Sequence, residues 1–136
     1  MFEHVSKERV RYGHTDQMGY MYYGHYTMLY EIGRTEAMRS LGLSYSKMET
    51  ELNVAMPVVS LNVRYLRPCF YDDLLTLKTQ IRKFPEKFIT FHTEIYNPDQ
   101  KLINVGEVRL CFVSKVTKRT IDLPEEFTEK LKPFFE

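Results

Sequence analysis

Residues 12–39 read YGHTDQMGYMYYGHYTMLYEIGRTEAMR. A turn-prone run carrying one carboxylate, Asp16, passes here into the opening of a long helix that Arg34 and Glu36 continue. Gly13 to Gly19 mixes Gly, Thr, Asp and His and breaks any regular pattern. Beyond it, Tyr26, Leu29, Tyr30, Gly33, Ala37 and Leu41 recur at three- and four-residue spacing, which marks one face of a helix. Gly42 supplies the stop signal, and Glu31, Arg34 and Arg39 fall away from the apolar face. Glycine inside a helix costs about 1 kcal/mol relative to alanine. Gly24, Gly33 and Ala37 therefore predict a helix that lies very close to a sheet wrapped around it.

Outward from this stretch the chain turns to strand. Phe2, Val5 and Val10 alternate loosely among charges and predict an edge-like strand over residues 2–11. After a short polar connection at 43–54, Val59, Leu61, Val63 and Tyr65 alternate with Ser60, Asn62 and Arg64, a period of two that buries one face and wets the other. Arg67-Pro68 ends or bends that strand. Leu75, Leu77, Thr79 and Ile81 repeat the alternation, and after Pro85 the run Phe88–Tyr96 is dominated by β-branched and aromatic residues. Asn97-Pro98-Asp99-Gln100 predicts a type I turn joining it to residues 102–116, a strand apolar on both faces and hence central. Leu123-Pro124-Glu125-Glu126 opens a short amphipathic C-terminal helix. The expected class is α+β, one long helix against a five-stranded antiparallel sheet. One helix covers one sheet face, so the other must be solvated or buried by a partner, and dimerisation is expected.

At 136 residues the chain is long enough for one domain with a real core, and residues 1–136 read as a single domain. A formal net charge of +1 provides no broad basic field for nucleic acid. The N-terminus, MFEHVSKERVRY, lacks an apolar core followed by a cleavage site, and no apolar run is long enough to span a membrane. Cys69 and Cys111 stand far apart in apolar, strand-like surroundings and match no metal-ligand spacing. Reduced thiols in a cytoplasmic protein are expected.

Asp16 has two readings. As an ordinary loop residue it closes an Asx turn or caps a helix. As a functional one it is a base or nucleophile acting on a carbonyl held at the helix start, where unpaired N–H groups and a partial positive charge await a developing oxyanion. His4, His14, His25 and His92 share no metal-binding motif, no Gly-x-Ser-x-Gly elbow supports a serine triad, and no glycine-rich loop supports a nucleotide cofactor. Neither a metal nor a cofactor is expected. Arg64, Arg67, Arg82, Lys83, Lys87, Lys115, Lys118 and Arg119 fall on strands or near their ends, mostly as solvated face. Those around Lys83 to Lys87 or Lys115 to Arg119 can grip phosphate at the rim of a pocket.

The pattern Tyr12-x-x-Thr15-Asp16-x-x-Gly19-x-x-Tyr22-Tyr23-x-x-Tyr26, continued by Glu31, Arg34 and Glu36, resembles the 4-hydroxybenzoyl-CoA thioesterase branch of the hotdog-fold superfamily and its Tol-Pal-associated acyl-CoA thioesterases. Val63-Arg64-Tyr65-Leu66-Arg67-Pro68, Asp72-Asp73 and Ile121-Asp122-Leu123-Pro124 are similar to that branch as well. The resemblance implies a hotdog fold, homodimers with two active sites at the interface, and in many members homotetramers built as dimers of dimers. It matches Asp16 to the catalytic carboxylate and Tyr23 to the position whose backbone N–H polarises the thioester carbonyl. Gly19 and Tyr22 of the motif, with Lys83 and Lys87, complete the candidate substrate-binding set. Tyr23 replaces a histidine found in many Tol-Pal-type members, and His25 stands where serine or asparagine is common. Glu31 is expected to pair structurally with Arg34 or Arg64.

Thioester hydrolysis needs no metal, because a carboxylate can attack directly or deprotonate a water while backbone donors hold the oxyanion. The leading expectation is an acyl-CoA thioesterase. The alternatives are a thioesterase for acyl carrier protein, with Arg64, Arg67 and Lys83 meeting an acidic partner, and a non-catalytic acyl-binding module. The intact Asp16 argues against the last.

Overall fold

The computed structural model describes residues 1–136. The long helix, α1, covers Tyr26–Ser40 and follows a single 3₁₀ turn at Tyr23–His25. Its buried residues are Tyr26, Leu29, Tyr30, Gly33, Ala37 and Met38. Gly42, at φ +80°, ends it. The Gly42 N–H reaches the Arg39 carbonyl and the Leu43 N–H the Met38 carbonyl, both at 2.9 Å, the paired bonds of a Schellman motif. Gly33 justifies its cost, since a Cβ there would stand 2.5 Å from Thr79 Oγ1 on the sheet. Gly24 has a different reason: it belongs to the 3₁₀ turn, and a side chain there would meet the ring of Tyr22 instead of a strand.

Strand β1 spans Phe2–Arg9, β2 Val54–Ala55, β3 Val58–Tyr65, β4 Leu74–Ile81, β5 Phe88–Tyr96, β6 Leu102–Ser114 and β7 Thr120–Ile121. They form one seven-stranded sheet in which β1, β4, β5 and β6 lie side by side, while β2, β3 and β7 each pair with β6. All pairings are antiparallel. The five long strands are those the sequence alternation marks, and the two-residue β2 and β7 are additions along the far half of β6. The β5–β6 hairpin turns through Asn97–Gln100, where Asn97 Oδ1 accepts from the Asp99 and Lys101 N–H groups and Gln100 takes φ +62°.

Two further expectations change. The 43–54 connection contains a second helix, α2, at Tyr45–Glu51, capped where Ser44 Oγ accepts the Lys47 N–H at 3.1 Å and anchored by buried Met48. Its length hides the periodicity, because two turns carry only one fully buried apolar residue. The alternation in β3 also does not bury a face within the chain: only Val63 is half-buried, and Val58, Val59, Leu61 and Tyr65 are about half exposed. β3 pairs with β6 on one side alone, so its other edge is free. The C-terminal helix, α3, runs Glu125–Leu131 behind Pro124 and buries Phe127 and Leu131. The core lies between α1 and the inner face of β4, β5 and β6, with Leu75, Leu77, Phe91, Ile95 and Leu110 almost wholly enclosed.

Candidate active site

The Asp16 loop is stitched by its own backbone. The Asp16 N–H donates to the Tyr20 carbonyl at 2.9 Å, the Gly19 N–H donates to the Asp16 carbonyl at 3.0 Å, and Gly19 closes the turn at φ +82°. The Tyr22 N–H reaches the His14 carbonyl and the Met21 N–H the Cys69 carbonyl, both at 2.8 Å, which ties the loop to its neighbours on both sides. Asp16 Oδ1 accepts the Met18 N–H at 2.9 Å, so the residue does close an Asx turn. That bond uses one carboxylate oxygen. None of the ion pairs in the chain involves Asp16.

The loop delivers the chain to the 3₁₀ turn, whose first bond runs from the His25 N–H to the Tyr22 carbonyl at 3.0 Å. The Tyr23 and Gly24 N–H groups open this turn, where no preceding turn supplies a carbonyl. No side chain caps either the turn or α1. Asp16 and Tyr23 line one cavity of about 310 Å³, walled mainly by Met18, Met21, Tyr26, Tyr65 and Leu66. Tyr26 is buried, its hydroxyl sharing a hydrogen bond with Cys69 Sγ at 3.4 Å, and burial first, then that bond, pushes its phenol up. Such an arrangement can hold an acyl group against ring edges and methionines while a carboxylate and a helix start face its carbonyl.

The remaining candidates sit elsewhere. Gly19 and Tyr22 build the loop and turn without lining the cavity. The Tyr22 ring lies 4.7 Å from that of Tyr23, and its phenol is pushed up chiefly by this neighbour, with the Asp16 charge a smaller contributor. Lys83 and Lys87 line a separate groove of about 710 Å³ with Arg82, Arg109, Glu86 and Glu107. It shares no lining residue with the Asp16 cavity. Neither lysine takes part in an ion pair, and Arg109 lies 4.0 Å over the ring of Phe88. Glu31 forms no ion pair with Arg34 or Arg64, contrary to the sequence expectation. It borders an open cavity of about 340 Å³ between α1 and β3, and the Arg34 Nε donates to the Tyr45 hydroxyl at 3.2 Å. That partner comes from α2, the helix hidden in the polar connection. The rings of His14 and His25 meet at a tilt of 51° with centres 5.2 Å apart. Sequence reasoning misses Tyr26 and Tyr65 as cavity walls, because helical and strand periodicity make both of them core residues.

Residues 10–131 match the family model of the Thioesterase-like superfamily. The chain belongs to this superfamily. The chain is 35% identical over 129 residues to the Bacillus subtilis protein YneP, provisionally named an acyl-CoA thioesterase, covering 93% of this chain and 92% of that protein. The Escherichia coli acyl-CoA thioester hydrolase YbgC is 31% identical over 124 residues, 91% of this chain and 92% of its own length. The crystal structure of a DHNA-CoA thioesterase from Staphylococcus aureus superposes with a TM-score of 0.89 at 29% identity, covering 98% of this chain and 89% of that one. The architecture, one long helix against an antiparallel sheet, is the hotdog fold of thioesterase-like proteins. No helix is long and apolar enough to cross a membrane.

Proposed function

We propose that this thioesterase-like protein hydrolyses acyl-CoA thioesters, with Asp16 as base or nucleophile and the Tyr23 N–H as oxyanion donor. The observation that carries this reading is that Asp16 and Tyr23 line one apolar cavity at the opening turn of α1. The names of YneP and YbgC supply the substrate class. Asp16 as base takes a proton from water, the hydroxide adds to the thioester carbonyl, and the oxyanion rests on the Tyr23 N–H. Collapse expels the CoA thiolate, which recovers the proton from Asp16. Asp16 as nucleophile instead displaces the thiolate to form an anhydride; water opens it at the Asp16 carbonyl, which releases the acid and leaves ¹⁸O from water in the Asp16 carboxylate, a label the base route does not give.

Lys83 and Lys87 lie in a groove apart from Asp16, so in this reading they hold the phosphates of CoA bound at another subunit's acyl cavity. The free edge and half-exposed apolar side chains of β3 support a homodimer formed there, which two such pairs extend to a tetramer. The free, buried thiols of Cys69 and Cys111 fit a reducing, cytoplasmic setting.

Thiol release from a panel of short, long and aromatic acyl-CoA substrates tests the assignment. Asp16→Asn should lower turnover by about 10²- to 10⁴-fold with an unchanged melting temperature, because the asparagine Oδ1 still accepts from Met18. Undiminished turnover in that variant overturns the role of Asp16, and acyl-CoA binding without thiol release replaces hydrolysis by a storage role. Presenting the same acyl group on acyl carrier protein shows which carrier is preferred.

A further inference from the structure

We propose that Tyr65 is a positioning residue for this site, holding the peptide that follows Tyr23 in place from the edge strand. The inference rests on the thioesterase reading above. The Tyr65 hydroxyl donates to the Tyr23 carbonyl at 3.1 Å, a bond spanning 42 residues that links the end of β3 to the 3₁₀ turn. Its ring is held on two sides. It meets Tyr26 edge-on at 5.3 Å and 86°, and Tyr23 at 6.5 Å and 81°. Its own backbone is registered opposite Asn104 on β6. A half-exposed phenol of this kind ordinarily turns to water. Here the two aromatic neighbours and the strand register aim it at main chain.

The position of that bond gives it its consequence. The turn that presents the Tyr23 and Gly24 N–H groups has no side-chain cap, and the other side-chain bond to it, from Thr27 Oγ1 to the Gly24 carbonyl at 3.2 Å, comes from the next turn of the same helix. Tyr65 is thus the side-chain tether from outside the helix, beside the backbone bond from the Tyr22 N–H to the His14 carbonyl. The Tyr23 carbonyl and the Gly24 N–H belong to one peptide unit, so a donor on the carbonyl strengthens the N–H at its other end. The preceding plane, which carries the Tyr23 N–H, is joined to it through the φ and ψ of Tyr23, and its carbonyl, on Tyr22, accepts the His25 N–H at 3.0 Å, so the Tyr65 bond holds the second of two linked planes. A misplacement of about 1 Å at a reacting centre costs on the order of 100-fold.

Tyr65→Phe removes the hydroxyl and keeps the ring. The expected result is a fall in kcat of about 10- to 100-fold, with KM within about threefold, unaltered molar mass and melting temperature, and faster amide exchange at residues 22–26. Tyr65→Leu, which also removes a cavity wall, should raise KM in addition. If Tyr65→Phe retains full kcat or unchanged exchange at the turn while Asp16→Asn is inactive, the tether is overturned and the thioesterase reading stands. If the wild-type protein releases no thiol from any acyl-CoA, both fall.

Discussion

Gly106 on β6 lies flat beneath the ring of Tyr30 on α1, so close that a methyl group at residue 106 would overlap Cζ and both Cε atoms. Tyr30 is 1% exposed and its hydroxyl donates to Asn104 Oδ1 on the same strand, so the ring has nowhere to swing. Burial pushes its phenol well above the ordinary range. Gly106→Ala should therefore cost about 1–3 kcal/mol in overpacking, read from the midpoint of urea unfolding. Gly13→Ala is the matched control: nothing lies within 4 Å of a Cβ there, and its effect should stay within about 0.5 kcal/mol. Equal midpoints for the two variants would remove the close approach at Gly106 as a determinant of stability.

The free edge of β3 leads to a second expectation. Val58 and Leu61 are about half exposed beside the cavity that opens onto Glu31 and Arg34, and Val59 is as open as they are. Light scattering should give close to twice the 16.3 kDa of one chain, or four times it if dimers pair. Leu61→Asp places a charge in the apolar stripe and should yield monomers with greatly reduced hydrolysis. A wild-type mass of one chain would remove β3 as an interface.

A third concerns the outer groove. Replacing Lys83 and Lys87 by alanine should raise KM for acyl-CoA by roughly 3- to 10-fold, the equivalent of about 1 kcal/mol for exposed charge contacts. The same acyl group on pantetheine, which lacks the nucleotide, should show no change. An equal effect on both substrates would take these lysines away from the phosphates.

His92 sets a pH dependence of stability. It lies in the same groove, with Nδ1 3.8 Å from Glu107 Oε2. Burial, then the Arg82 charge, lowers its pKa, and Glu107 only partly opposes them. The unfolded chain therefore binds this proton more readily than the folded one, so stability is full above the ordinary histidine pKa of about 6.5 and declines as pH falls through the folded value. Urea midpoints at pH 7.5 and 5.5 should fall further apart in the wild type than in His92→Gln. Equal drops would show that His92 does not carry the effect.

Much of this fold was legible because strong periodicity and turn chemistry agreed. The β-branched and aromatic run Phe88–Tyr96 and the Asn97-Pro98 turn need no tertiary information, and neither does the stop at Gly42. The Asp16 loop and helix start were legible as a junction, and the motif around them as a likeness. What stayed hidden depends on three dimensions. α2 has too few buried residues to show a period. Alternation in β3 cannot reveal whether its apolar face meets the same chain or another. Tyr26 and Tyr65 lie 39 residues apart, so no spacing could show that their rings meet over Asp16's cavity. Lys83 and Lys87 read as rim residues, whereas the groove they line shares no residue with the Asp16 cavity.

The central place of β6 also bears on how the molecule is made. β2, β3 and β7 have no strand partner except β6, which ends at Ser114. As the chain leaves the ribosome, β3 emerges early and must wait with both edges bare until β6 appears, while β1, β4 and β5 can already zip together. Newborn chains on one messenger would therefore carry an unclaimed sticky strand, and chaperone binding during synthesis would concentrate on residues 58–65.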